Sequence, residues 1–258
     1  MKSKKKYLFM VLIAFGFILL SNKVVYADPI AIPELNLSIG GESTSATNYV
    51  DNIKLLIILT VLSLLPSIII MMTSFTRIVV VFSFLKNALG AAQSIPNQVL
   101  TGLAIFLTIF IMRPVYSEIN ENAFKPFMED TITQEEAFEA ASKPLRDFML
   151  KQTRQKDLEL FIEASDLNGE EITKENIPLT VVIPAFAISE LKTAFQIGFL
   201  IFLPFLIIDM VVASILMSMG MFMIPPVMVS LPFKLLLFVM VDGWYLTIRS
   251  LIMSFGGW

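Results

Sequence analysis

The sequence contains no cysteine and no histidine. Their absence excludes a disulfide framework, a thiol nucleophile, an imidazole base and a Cys/His metal site. Charged residues are also scarce, at 16% of the 258 residues, whereas 56% are hydrophobic. Soluble domains have about a quarter charged residues, so this composition is typical of a membrane protein. The net charge of −3 gives no reason to expect a nucleic acid partner, and we expect no cofactor, no bound metal and no enzymatic activity.

Residues 1–27 have the features of a cleaved secretory signal peptide. Four lysines precede an apolar segment, residues 7–20, whose length suits such a peptide. Cleavage is predicted between Ala27 and Asp28. An uncleaved membrane anchor is the alternative, but the apolar run is short for a span of about 20 residues. Residues 28–52 are rich in proline, glycine, serine and threonine, which predicts a polar linker.

Four apolar segments are candidates for membrane-spanning helices. They are residues 53–72, a run ending at Met112, residues 197–216 and residues 231–252. The first two form a predicted N-terminal apolar hairpin, residues 53–112. The connection between them carries Arg77 and Lys86 but no acid, and the positive-inside rule assigns such a segment to the cytoplasm.

Residues 113–188 are predicted to be a polar, acidic region of amphipathic helices on the extracytoplasmic side. Residues 133–136, Thr-Gln-Glu-Glu, have the spacing of a capping box, and Pro144 is predicted to interrupt the helix that follows. The C-terminal apolar region, residues 189–258, is predicted to begin with a new helix at Ser189. The fold class is therefore all-α: a polytopic membrane-type protein with about four long apolar helices and a polar helical region.

The segment 207–226 combines one acid, a run of methionines and two final prolines. The methionines occupy every second position: Met217, Met219, Met221 and Met223. Residues four apart share a helix face, so spacing alone favours methionines packed within a helix. The glycine at Gly220 and the pair Pro225 and Pro226, which cannot continue a helix, favour a methionine-lined loop. Both interpretations remain open at this level.

Asp209 and Lys234 have opposite charges and lie in the last two apolar segments. A charge in apolar surroundings is costly unless it is paired. We therefore expect the two side chains to face each other, within one chain or between subunits. One interpretation is a fixed ion pair that orients two helices, and the other is a carboxylate that changes its protonation.

Three blocks of the sequence resemble the FliP/SpaP family of type III secretion systems. Residues 73–107 are similar to the family's N-terminal block, and residues 184–198, PAFAISELKTAFQIG, resemble its first signature. Residues 232–244, PFKLLLFVMVDGW, resemble the second signature. The signature positions singled out are Glu190, Phe195, Gly198, Pro232, Phe233, Gly243 and Trp244. Together the blocks extend over nearly all of the mature chain.

The resemblance implies a core subunit of a protein export gate through which unfolded substrates pass. In this family five copies of the P subunit and one R subunit form a closed helical ring, and Q subunits surround it. Many members have an unbroken methionine run that forms a gasket across the channel, and it corresponds here to Met221, Phe222 and Met223, with Phe222 interrupting the run. The predicted pore gasket comprises Met217, Met219, Met221, Phe222 and Met223. In the assembled gate the apolar helices pack on other subunits outside the membrane plane, so the four spans describe the inserted precursor.

The signal peptide favours a flagellar system, since flagellar members of the family have one more often than injectisome members. The expected location is the bacterial cytoplasmic membrane, within the flagellar basal body and in contact with lipid. Two alternatives remain: an ion-coupled secondary transporter that uses Asp209, and an intramembrane hydrolase built on Asp209 and Asp242. Inverted repeats would support the transporter, and the sequence has none that we can detect; it also has no hydrolase motif.

Overall fold

The computed structural model describes residues 46–91, 94–165 and 177–256, and the side chains of the first helix from residue 53 onward. The chain divides into two units, Met1–Lys54 and Leu55–Trp258, and every contact described below lies within the second. The predicted signal peptide, its cleavage site between Ala27 and Asp28 and most of the predicted linker lie outside the described residues.

All described secondary-structure elements are helical, which confirms the predicted all-α class for this part of the chain. In chain order they are α1 (Ala46–Met71), α2 (Phe75–Ala88), α3 (Asn97–Ile111), α4 (Arg113–Ile119), a π-helical turn (Asn120–Phe124), α5 (Lys125–Met128), α6 (Gln134–Gln152), α7 (Gln155–Ala164), α8 (Leu179–Ser218), α9 (Pro226–Met240) and α10 (Gly243–Met253).

Two of these helices are long and apolar enough to cross a membrane. One is the segment Ile53–Met71 of α1, and the other is the 40-residue α8. Two bent pairs qualify only if each pair is one span: α3 with Arg113–Met128, bent by 56°, and α9 with α10, bent by 64°. By length and composition the described chain therefore has two to four candidate spans, where the sequence predicts four.

The last apolar run, residues 231–252, is not one continuous helix. It breaks between α9 and α10, where Asp242 has a left-handed φ of +52°. A helix cannot continue through that conformation, because its hydrogen bonds require a negative φ. A β-carbon on Gly243 would come within 2.2 Å of the Phe238 ring, so the corner requires glycine there. The candidate span at residues 231–252 is therefore a bent pair of helices.

Helix α2 is the central helix of the packing. Its buried apolar side chains are spaced three or four residues apart, as on one face of a helix: Ile78, Val81, Phe82, Leu85 and Ala88. Side chains of α3, α8 and α10 complete this core, including Leu100, Ala194 and Leu251. The contacts that position the candidate site therefore converge on α2.

Helix α6 begins with the predicted capping box. The Thr133 hydroxyl accepts a hydrogen bond from the Glu136 backbone N–H, and the Glu136 carboxylate accepts one from the Thr133 N–H at 2.8 Å. The helix then continues through Pro144 to Gln152, so the prediction that this proline interrupts it was wrong. Pro144 is buried, and packing of its ring compensates for the hydrogen bond that an interior proline removes.

Helix α8 begins at Leu179 rather than at Ser189. The predicted boundary between residues 188 and 189 therefore falls inside a helix. Val182 and Phe186 of its first turns are fully buried with Met149 of α6. This packing overrides the strand preference of a valine-rich segment, because local propensity is weak compared with tertiary contacts.

Candidate functional site

An ion pair joins α8 to α9. Lys234 Nζ lies 2.6 Å from Asp209 Oδ2, and the same ammonium donates to the Ala88 carbonyl at 3.1 Å. The Ser230 hydroxyl donates to Asp209 Oδ1 at 2.5 Å. The expected pairing is therefore present within one chain, and the end of α2 is a third partner.

The surroundings of this pair favour the fixed ion pair over a free carboxylate. Both oxygens of Asp209 accept a hydrogen bond, and the Lys234 side chain is 3% exposed. Removal of an ionic group from water costs several kcal/mol, which only good geometry and further hydrogen bonds offset. The pair therefore holds α8 and α9 together just below the methionine-rich segment.

Residues 219–225 form a loop between α8 and α9. Helix α8 ends in a Schellman motif, in which the Gly220 N–H donates to the Met217 carbonyl and the Met221 N–H donates to the Leu216 carbonyl. Gly220 has a φ of +76°, a conformation that glycine adopts without steric cost. The loop interpretation is therefore correct, and the methionines are not packed within one continuous helix.

The proposed gasket residues expose their apolar side chains. Phe222 is 79% exposed and Met223 is 94% exposed. Met219 and Met221 lie in the same loop, whereas Met217 lies in the last turn of α8; all three are exposed. Contiguous exposed apolar groups mark a surface that contacts another molecule. The arrangement suits a gasket, and this role stays a prediction.

A second buried ion pair, which the sequence analysis missed, joins α2 to α8. Arg77 and Glu190 are 2% and 0% exposed, and the guanidinium donates to both oxygens of the carboxylate. Its other N–H groups donate to the Gln152 side chain at 3.0 Å and to the Ser254 carbonyl and hydroxyl at 2.8 and 2.9 Å. The guanidinium carbon lies 3.8 Å from the centre of the Phe255 ring. All five donors of the arginine are therefore used.

The position of Arg77 changes the topology argument. Its charge was assigned to a cytoplasmic connection, but the side chain is buried in α2 and paired. The positive-inside cue is left with Lys86, so the side of the membrane stays a prediction. The signal for the ion pair was present in the sequence, since a charge flanked by apolar residues needs a partner, and Glu190 is an acid in similar surroundings.

A third polar cluster attaches the start of α7 to α8. The Ser189 hydroxyl donates to Asp157 Oδ2 at 2.5 Å and accepts from the Arg154 backbone N–H at 3.1 Å. Arg154 Nη2 lies 2.5 Å from the same carboxylate oxygen. Desolvation raises the pKa of Asp157, but the Ser189 hydrogen bond and the Arg154 charge outweigh it and lower the pKa overall. Asp157 therefore stays ionised and keeps both partners at neutral pH.

Two positions of the first signature hold α8 against α2. A β-carbon on Gly198 would come within 2.5 Å of the Phe84 ring, so glycine permits this close approach. Phe195 meets the Phe84 ring edge to face, with centroids 5.2 Å apart. These contacts account for the two positions as packing residues.

The second signature divides between a buried corner and an exposed face. Gly243 lies under the Phe238 ring, which meets the Trp244 ring edge to face at 5.5 Å. Pro232 and Phe233 of α9 are exposed. The structure therefore gives the corner residues a packing role and leaves Pro232 and Phe233 on a free surface of the described chain.

The region of the chain that matches known sequences includes both ion pairs and the methionine loop. A model described as the FliP family matches residues 58–251. The chain is 59% identical to the flagellar biosynthetic protein FliP of Bacillus subtilis (strain 168) over 213 residues, 83% of this chain and 96% of that protein. It is 49% identical to the flagellar biosynthetic protein FliP of Aquifex aeolicus (strain VF5) over 243 residues, 94% of this chain and 98% of that protein. On the extent of these matches, the chain belongs to the FliP family.

Proposed function

We propose that this chain is a core subunit of the flagellar protein export gate. It would form part of the channel through which unfolded flagellar proteins are exported during flagellum assembly. Membership of the FliP family supports the flagellar role. The observation that carries the channel proposal is the exposed, apolar loop 219–225 at the end of the 40-residue α8.

The chemistry of this loop suits a seal for unfolded chains. Such a channel must exclude ions and water when closed, yet admit side chains of any shape when open. Methionine is unbranched and flexible, so it closes irregular gaps without imposing one packing arrangement. Phe222 adds a large apolar ring, and an apolar constriction blocks ions because it excludes water. Met221, Phe222 and Met223 from several copies would together close the channel.

The proposed assembly is a ring of five copies with one R subunit, surrounded by Q subunits. Large exposed apolar side chains on α8 and α9 support it, including Ile207, Met210, Val239 and Met240. Surfaces of this kind are covered by subunits or by lipid, and head-to-tail contacts close into a ring when the rotation between neighbouring subunits allows it. Unfolded export substrates and membrane lipid are the other proposed partners.

We place the gate in the bacterial cytoplasmic membrane, within the flagellar basal body, with residues 113–188 on the extracytoplasmic side. The candidate spans support a membrane location, and the predicted signal peptide supports this side. The remaining assignments, a linker at 28–52, an apolar hairpin at 53–112 and a C-terminal region at 189–258, belong to the same proposal. The role is structural, and we assign the chain no catalytic residue.

The transporter alternative is not supported. Asp209 has both oxygens engaged by Lys234 and Ser230, and the relatives are named flagellar biosynthetic proteins. The hydrolase alternative needed Asp209 and Asp242 as an acid pair. Because Asp209 already pairs with Lys234, the structure offers no argument for it.

Native mass spectrometry of the protein, purified in mild detergent after co-expression with the Q and R subunits, tests the proposal. A complex with five copies of this chain, with or without one R subunit, is the expected result. A monomer or dimer that recruits neither partner would contradict the proposal.

A further inference from the structure

One guanidinium holds both ends of the segment that carries the methionine loop. The chain runs from Glu190 in α8 through the loop, α9 and α10 to Ser254. Arg77 binds the Glu190 carboxylate at one end of this segment and the Ser254 carbonyl and hydroxyl at the other. The Gln152 side chain, which accepts from Arg77 at 3.0 Å and donates to the Phe255 carbonyl at 3.1 Å, adds α6 to the junction.

The segment 190–254 is attached to α2 at a second point as well. Arg77 lies in the first turn of α2, and Ala88 is its last residue. The Ala88 carbonyl accepts from Lys234, which pairs with Asp209. The two attachment points are separated by roughly 16 Å of helix, at about 1.5 Å per residue. Helix α2 is unbroken between them and one of its faces is buried, so it fixes the two attachment points relative to each other.

We propose that Arg77 is a positioning residue for the methionine loop. It ties the two ends of the segment 190–254 together, and the pair of Lys234 and Asp209 attaches the segment to α2 nearer the loop. The loop, residues 219–225, lies beyond both attachment points and is the part that we expect to move. The inference rests on the proposed function, because it takes the loop as the constriction of the channel. Passage of a substrate then displaces the loop and not the helices beneath it.

Arginine is required at this junction because of its geometry. Its planar guanidinium presents five donors, which here reach three side chains and one carbonyl on two different helices, α6 and α8, and the C-terminal segment. Lysine has a single point of charge with three donors. Arg77→Lys therefore keeps a charge near Glu190 but cannot hold Gln152 and Ser254 at the same time.

Spin labels on one chain measure the position of the loop. Because the sequence contains no cysteine, Met223→Cys in the loop and Glu159→Cys at an exposed position of α7 give two unique labels. Labelled chains are diluted with unlabelled chains, so that pulsed electron–electron distances report one chain and do not depend on ring formation.

The test variants are Arg77→Lys, Gln152→Leu and Ser254→Ala. Lys86→Met is the matched control, because it removes a bond from α2 to Asn97 and not to the segment 190–254.

We expect Arg77→Lys to widen the distance distribution at least twofold, with smaller widening in Gln152→Leu and Ser254→Ala and none in Lys86→Met. Native mass spectrometry of the same samples gives the copy number, so a failure of the proposed ring is seen separately. Parent-like widths in all three test variants would overturn the role of Arg77 even where the five-copy ring forms. If Arg77→Lys does not fold, the other two variants decide, because they keep the ion pair with Glu190.

Discussion

Arg77 and Glu190 lie 113 residues apart in the chain and form a bidentate ion pair in which both side chains are buried. Arg77→Met would leave the Glu190 carboxylate buried without its charged partner. Loss of one member of a buried pair costs about 3–5 kcal/mol, whereas replacement of both members by apolar residues is often neutral. We therefore expect Arg77→Met to lower the free energy of unfolding strongly and Arg77→Met with Glu190→Leu to recover most of it. Denaturant unfolding of the purified protein in detergent measures the free energy of unfolding of each single variant, Arg77→Met and Glu190→Leu, and of the double variant. If the losses of the two single variants simply add in the double variant, the two residues are not coupled.

The pair of Asp209 and Lys234 is expected to matter for assembly. Each single change, Asp209→Ala or Lys234→Ala, leaves an unpaired charge between α8 and α9 and should reduce the yield of the complete complex. The double variant should be no worse than either single variant, because the coupled partner is already lost. Copy number and partner recovery by native mass spectrometry measure the effect, with exposed Lys125→Ala as control. Strictly additive losses would refute a direct pair.

Shorter apolar side chains in the loop should make the closed complex leak ions. Met221→Ala, Phe222→Ala and Met223→Ala together would shorten the apolar side chains of the proposed constriction, so the closed complex should conduct ions. Conductance of the purified complex in a planar lipid bilayer measures this. Met128→Ala removes an exposed methionine outside the loop and should have no effect. Unchanged conductance in the triple variant would rule out the gasket.

The contact of α2 with α8 should be sensitive to a single methyl group. Gly198→Ala would bring a β-carbon within 2.5 Å of the Phe84 ring, and overpacking of this kind costs about 1–3 kcal/mol. Gly102→Ala is the matched control, because no atom lies within 4 Å of the new methyl group and alanine favours a helix by about 0.5–1 kcal/mol. Thermal unfolding in detergent should therefore move in opposite directions for the two variants.

The capping box of α6 should respond to acid. The Thr133 backbone N–H, and then its hydroxyl, stabilise the ionised carboxylate and lower the pKa of Glu136. Because the pKa is lower in the folded state, this stabilisation is complete above the unfolded pKa and is lost as the pH falls through the folded pKa. Hydrogen exchange of the first turns of α6, corrected for intrinsic rates, should accelerate over that range. Glu136→Gln should remove this pH dependence of hydrogen exchange. If the variant keeps the same pH dependence, the Glu136 carboxylate is not its source.

Local signals in the sequence predicted part of the local structure. The capping box at Thr133 follows from residue types three apart, and Gly220 with the two prolines supported one of the two interpretations that the sequence left open for the end of α8. The ion pair of Asp209 and Lys234 was also predictable, because a charge in an apolar segment needs a partner. These features depend on the chemistry of a few neighbouring residues, which the sequence displays directly.

Features that depend on distant packing were missed. Pro144 remains in a helix because its ring is buried, and α8 begins at Leu179 because its first turns pack on Met149. The corner at Asp242 depends on the Phe238 ring over Gly243. Arg77 was misassigned because its charge was taken as a loop signal, although the helix around it is buried.

The length of α8 determines how far the methionine loop lies from the Arg77 junction. Its 40 residues measure about 60 Å at 1.5 Å per residue, roughly twice the 30 Å hydrocarbon thickness of a bilayer. An upright α8 therefore cannot lie wholly within the hydrocarbon. From Glu190 to the end of the helix at Ser218 the distance is about 42 Å, which sets the distance of the proposed constriction from the Arg77 junction. Deletion of one helical turn would move the proposed seal by about 5.4 Å towards the Arg77 junction without altering a single residue of the loop.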